Sequence, residues 1–129
     1  MPLVKVEILE GKSKEYKSAI LEGIHQALVD SIKIPDHDRR QRLYELSPDC
    51  FEHNGWSDNY TIVEVTMFKG RSAEAKKAFF RKVVENLASN PGISGIDITI
   101  VINDPGLENW GVRGGIPASE IDFGNSLNV

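Results

Sequence analysis

Disulfide chemistry has almost nothing to work with in this chain: Cys50 is its single cysteine. No intrachain bridge can form, and the reducing cytoplasm is the expected compartment. Long apolar runs are missing as well. Nothing approaches the roughly 20 residues that a membrane-spanning helix needs, and the first residues lack the basic, apolar and small-residue order of a secretion signal, so no membrane partner is expected. Positive charge is in deficit, with 15 Lys and Arg against 19 Asp and Glu for a net charge of −4. Such a balance offers no bulk attraction to nucleic acid or anionic lipid. Aromatic residues are only 8% of the 129, which leaves core building to aliphatic side chains. At 40% hydrophobic and 26% charged, the chain has the composition of one folded globular domain covering residues 1–129.

What is present is periodic. From Leu3 to Glu10, Val4, Val6 and Ile8 alternate with Leu3, Lys5 and Glu7, the period of two of a half-buried strand. Gly11 and Lys12 turn the chain. Ser13 is placed to cap a helix whose first turn carries Glu15, where the helix dipole favours negative charge. Ile20, Leu21, Ile24, Ala27, Leu28 and Ile32 follow as one helical stripe, until Pro35 stops it.

The pattern then repeats 59 positions later without a gap. Val4 and Val6 become Val63 and Val65. Gly11, Ser13, Glu15 and Lys17 become Gly70, Ser72, Glu74 and Lys76, and Ala19, Leu28, Ile34 and Asp38 become Ala78, Leu87, Ile93 and Asp97. Two copies are too few for a solenoid, so they read as a duplication inside one domain, about residues 2–46 and 61–103. Each copy closes with a further strand: weakly patterned near Arg40 to Leu46, and clearly at Ile96, Ile98, Ile100 and Ile102. The fold class expected is α/β, a duplicated β-α-β unit. Right-handed crossovers make the strands parallel within each unit, and two helices cover one face of a four-stranded sheet. The other face carries Leu3, Lys5, Glu7, Ile62, Glu64 and Thr66. It is too mixed for a private core and too apolar to stay wet, which suits a self-association surface. The Gly- and Asn-rich tail from Pro105 onward is expected to wrap a neighbour or cover a pocket.

Pro2 is the sharpest chemical signal. Within a chain proline has no N–H and titrates nothing. Aminopeptidases generally remove an initiator Met before a residue as small as proline, and Pro2 would then carry a secondary amine. An α-amino group titrates at roughly 7.7–8.0 unperturbed, and burial or nearby cations lower that value, toward the range where acid–base catalysis works best. Lys12 and Arg71 occupy equivalent turns at the carboxyl end of a strand and the start of a helix, a natural anion site. Only the second turn, Phe68-Lys69-Gly70-Arg71-Ser72, carries two cations, and an arginine there can clamp a carboxylate through two hydrogen bonds.

Other candidates carry less. Asp36-His37-Asp38 lacks a partner motif at metal-ligand spacing, and no metal is expected. His25 on a helix and His53 in a loop have no visible partner, and Cys50 has no neighbouring cation or histidine that would activate it. Gly111 to Gly115 resembles a phosphate loop only loosely, because no strand immediately precedes it.

Taken together, Met1-Pro2-Leu3-Val4-Lys5-Val6-Glu7, the Gly11-Lys12-Ser13 turn, Ile34-Pro35-Asp36-His37-Asp38-Arg39, Phe68 to Ser72 with Glu74 and Lys76, and Asn109-Trp110-Gly111-Val112-Arg113-Gly114-Gly115 resemble the tautomerase superfamily. The resemblance covers nearly the whole chain and favours the branch that includes malonate semialdehyde decarboxylase. It implies β-α-β units around an amino-terminal proline, a homotrimer at this chain length, and small 2-oxo acids, their enols or acrylate-like acids as substrates. By position it implies that Pro2 is the catalytic proline and Asp38 an aspartate that polarises water or substrate. Lys69 and Arg71 fall on a pair of substrate-binding arginines, and Trp110 on a pocket wall. Lys69 departs from the pattern, since a lysine keeps the charge but not the planar fork.

The expectation is therefore a cofactor-free enzyme that moves a proton on a small carboxylate substrate. Two alternatives stand beside it: decarboxylase or hydratase chemistry in the same site, and a non-enzymatic ligand-binding module of the ferredoxin-like kind.

Overall fold

In the computed structural model, which describes residues 2–123, the duplication becomes a single sheet. Strand β1 (Leu3–Leu9) leads to helix α1 (Lys14–Ala27) and strand β2 (Gln41–Leu46). Strand β3 (Thr61–Thr66), helix α2 (Ala73–Ser89) and strand β4 (Ile98–Asn103) repeat the order. The sheet runs β2-β1-β3-β4. β1 is parallel to β2 with Val4 opposite Gln41, and β3 is parallel to β4 with Thr61 opposite Ile98. The two units meet antiparallel at the centre, where Leu3 faces Thr66 and Val6 faces Val63.

Each helix starts where its sequence predicts. The Ser13 hydroxyl accepts from the Tyr16 amide at 3.0 Å and the Ser72 hydroxyl from the Ala75 amide at 3.1 Å. Each cap thereby satisfies a donor that the first helical turn would leave without a partner. Ser72→Ala should cost about 1 kcal/mol of folding stability, read as a lower urea midpoint at unchanged slope. α1 does not stop at Ala27. It widens into a π-helical turn over Leu28–Ile32, and Lys33 then leaves with a left-handed φ of 64°, two residues before Pro35. The wider turn keeps both Leu28 and Ile32 in the core.

Period two and period 3.6 meet in that core. Val4, Val6, Ile8, Val63 and Val65 point to the face on which Ile20, Ile24, Leu28, Phe79, Val83 and Leu87 lie, all of them buried. The helices approach closely at Gly23, where a Cβ would stand 2.9 Å from Leu87 Cδ2. Asn86 seals the contact by donating its amide to the Gly23 carbonyl at 2.9 Å. The opposite face of the sheet is half-buried. Lys5 and Glu64 pair across it at 3.0 Å, while Leu3 and Ile62 pack toward its two ends on separate aromatic clusters.

One strand begins later than its alternation suggests. Ile96 lies in a 3-10 turn over Gly95–Asp97 and is 75% exposed. The turn is fixed by Asp97, which is buried and accepts from the Ser57 amide at 3.2 Å and the Ser57 hydroxyl at 2.6 Å. Beyond β4, the tail folds back on the domain through a 3-10 turn (Leu107–Asn109) and a small hairpin, β5 (Gly111–Val112) with β6 (Ile116–Pro117). The glycine-rich stretch is thus the bend of a hairpin, with Arg113, Gly114 and Gly115 all at positive φ.

Candidate active site

The antiparallel junction of β1 and β3 decides which residues share an end of the sheet. The start of β1, the start of β2 and the ends of β3 and β4 all lie together. Pro2 is there, buried, one residue before β1. The Val4 amide donates to the Arg40 carbonyl at 3.0 Å, which ties this end of β1 to the segment that carries Asp38. On the other side Leu3 pairs with Thr66, so that Met67, Phe68 and the turn to Arg71 follow directly. Three of the residues singled out in the sequence, Pro2, Asp38 and Arg71, thus come to one end of the sheet from three separate segments.

Arg71 is the most unusual of them. It is half-buried, and burial lowers its pKa from the ordinary guanidinium value. One Nη donates to the Phe68 carbonyl at 3.2 Å. Its Nε is shielded from solvent and has no hydrogen-bond partner among the described residues. A buried, unpaired guanidinium donor is costly and calls for a bound acceptor. Lys69 is exposed, an outer positive charge two residues before the arginine rather than a second planar fork.

Trp110 is buried and stands edge-on to Phe68, ring centroids 4.8 Å apart. Phe123 meets the other side of Phe68 at 5.0 Å, under the Arg113 guanidinium at 5.1 Å from its centroid. Ala118, Leu107, Val112 and Leu3 complete this cluster. The tail therefore covers the β3 end with an apolar wall. The Trp110 Nε1–H, like Arg71 Nε, is buried without a partner among the described residues.

Asp38 forms an ion pair with Arg40, its side chain 15% exposed. Its repeat mate Asp97 is held instead by Ser57, so the shared aspartate serves a turn in the second copy and faces a guanidinium in the first. Arg40, two residues from Asp38, carries no motif signal of its own in the sequence, and the ion pair is what marks it as part of the site. The rest of the Asp36-His37-Asp38 run disperses. Asp36 turns to buried His25, whose Nε2 lies 3.1 Å from its carboxylate, and His25 thereby has the partner its sequence context did not reveal.

Lys12, the repeat mate of Arg71, is committed elsewhere. Its Nζ donates to Asn59 Oδ1 at 2.6 Å and lies 5.1 Å from the Tyr16 ring centroid. Tyr16 itself is pushed to a higher pKa, first by burial and then by the charge of Asp97.

A profile of tautomerase enzymes matches residues 38–113, more than half of the chain, and a second tautomerase enzyme profile matches residues 2–53. The chain belongs to the tautomerase family. Among its relatives is a probable tautomerase of Bacillus subtilis (strain 168), YrdN, 28% identical over 116 residues, which cover 85% of this chain and 89% of that one. A 2-hydroxymuconate tautomerase of Comamonas testosteroni is 36% identical over 60 residues, 46% of this chain but 94% of its own. Among solved structures, the FG41 malonate semialdehyde decarboxylase inhibited by 3-bromopropiolate is 30% identical with a TM-score of 0.77, covering 91% of this chain and 92% of that one. A wild-type fused 4-OT, solved as a symmetric trimer, is 27% identical with a TM-score of 0.80, covering 91% and 96%. The protein is thus an enzyme of the tautomerase superfamily, and this decides against the ferredoxin-like binding module. Among the described residues of this superfamily member, no helix is long and apolar enough to cross a membrane.

Proposed function

We propose that this enzyme moves a proton on a small 2-oxo acid or its enol, without a cofactor, and that the amine of Pro2 carries that proton once Met1 is removed. The observation that carries this reading is the Arg71 guanidinium, half-buried at the Pro2 end of the sheet with an Nε donor that has no acceptor among the described residues. A substrate carboxylate is the acceptor it lacks, held by Arg71 with Lys69 as the outer charge. With the carboxylate there, the rest of the substrate lies toward Pro2 and Asp38. Pro2 takes a proton from the enol oxygen and returns it to the neighbouring carbon. Asp38, oriented by Arg40, polarises a water or the substrate oxygen. Trp110 and Phe68 exclude solvent from this end and strengthen each charge interaction.

Decarboxylation or hydration is a second reading, favoured by the 30% identity to a malonate semialdehyde decarboxylase. The two differ in the resting state of Pro2. A base must be unprotonated near neutral pH, whereas an acid that polarises a carbonyl must keep its proton. Titration of the Pro2 nitrogen by ¹⁵N NMR separates them. Because Pro2 is buried and burial disfavours the ammonium form, its pKa should fall below the ordinary α-amino range, as tautomerisation requires. A raised pKa would transfer the assignment to decarboxylation or hydration.

The homotrimer belongs to the same proposal. The sheet face of Leu3, Lys5, Ile62 and Glu64 is half-buried in the lone chain, and the edge strands leave Tyr44 48% and Val101 39% exposed. Both features suit burial against further copies. Sedimentation equilibrium should return a trimer across a wide concentration range, and a stable monomer would remove the neighbouring copies from the site.

A further inference from the structure

The residue offset that relates the two copies extends into loops whose sequences show little likeness. The 3-10 turn Pro48–Cys50 is the repeat mate of Leu107–Asn109, and Phe51 occupies the place of Trp110. Phe51 is buried, as Trp110 is, and packs with Leu9, the mate of Phe68. The second copy of the proposed active site therefore exists at the opposite end of the sheet, where β1 ends.

That end holds a cavity of about 370 Å³, lined by Leu9, Glu10, Gly11, Lys12, Phe51 and Asp58 among others. The volume suits a small molecule. Two of its differences from its mate decide what it can take. Thr61 stands where Pro2 stands, fully buried inside the chain with its hydroxyl donating to the Asn59 carbonyl at 2.8 Å, so no amine can form there. Glu10 stands where Lys69 stands, and with Asp58, whose carboxylate lies 3.9 Å from Nε2 of His53 in the same lining, it gives the rim two carboxylates against the one ammonium of Lys12. A simple carboxylic acid suits the Pro2 end but meets repulsion here. Lys12 spends one of its three donors on Asn59 and retains capacity for an anion.

We propose that this cavity is a second, non-catalytic binding site that takes a short amino acid, its carboxylate on Lys12, its ammonium between Glu10 and Asp58, and its methylenes against Leu9 and Phe51. Binding does not involve Pro2, so protein that retains Met1 binds equally well, and the site stands or falls separately from the proposed catalysis.

The test is an NMR titration of the ¹⁵N-labelled protein with glycine, β-alanine and γ-aminobutyrate, with butyrate and butylamine as single-charge controls. At least one amino acid should shift the amides of Gly11, Lys12 and Asp58 saturably, while those of Gly70, Arg71 and Trp110 respond less. It should bind about tenfold or more tightly than either control, because each control forfeits one charge-assisted contact. Glu10→Gln, at an exposed position that leaves the fold intact, and Lys12→Met should each weaken binding by a similar factor. The proposal is overturned if no amino acid gives saturable shifts at that end, if butyrate or butylamine binds as tightly, or if both variants keep the wild-type affinity.

Discussion

Protein that retains Met1 is expected to turn over an enolised 2-oxo acid about 100- to 10,000-fold more slowly than matched protein that has lost it, the usual contribution of a positioned acid or base. Its melting temperature should barely change. Both halves of the expectation follow from the same strand. With Met1 attached, the Pro2 nitrogen is a tertiary amide that neither accepts nor donates a proton. The packing of β1 does not depend on that nitrogen. Val4, Val6 and Ile8 stay buried against the helices, and the strand keeps its pairing to β2 and β3. The repeat supplies an internal control. Thr61 begins β3 at the position that precedes β1 as Pro2, so strand entry as such has no need of proline. If Pro2 were only a strand-entry residue, both samples would be equally active. Turnover and thermal unfolding of the matched pair measure this directly, and equal turnover would reject Pro2 as the proton-transfer group.

Periodicity carried the reading of the sequence furthest where burial is one-sided. The alternation through Val4, Val6 and Ile8 and the stripe from Ile20 to Ile32 translate into one sheet face and the helix that covers it. Ser13 and Ser72 mark helix starts because a capping hydroxyl is a local device, decided within four residues. The limits arise where a side chain across the fold makes the decision. Ile96 continues the alternation of β4 in sequence but not in space, because Asp97 is drawn to Ser57, 40 residues away. Nothing near Trp110 announces Phe68, against which its ring stands edge-on. The Pro48–Cys50 and Leu107–Asn109 turns share a backbone path but little sequence, so the repeat is visible in the elements and hidden in the loops that complete each end. For the same reason Pro2 and Arg71 were legible as candidates, while the aromatic wall that Phe68 and Phe123 build beside them was not.

The repeat makes Lys12 and Arg71 equivalent by position, and their surroundings make them unequal in function. Arg71→Ala should raise the KM for a 2-oxo acid by roughly tenfold to over a hundredfold, since a hydrogen bond to a charged group is worth about 1.5–3 kcal/mol. Lys12→Ala should leave KM and kcat near their wild-type values. Arg71 has a shielded Nε without a partner among the described residues and a second cation, Lys69, two residues away. Lys12 already donates to Asn59 at 2.6 Å, follows Glu10 in the chain, and lies at the carboxyl end of β1, the far end of the sheet from Pro2. Arg71→Lys sharpens the comparison. It keeps the charge but loses the planar fork, so it should recover only part of the lost affinity. If the clamp holds substrate and transition state alike, the change appears in KM. If it tightens as the enolate charge develops, kcat falls as well. Steady-state kinetics of the three variants decide between these, and equal losses for Arg71→Ala and Lys12→Ala would mean that the carboxylate is not bound at the Phe68–Ser72 turn.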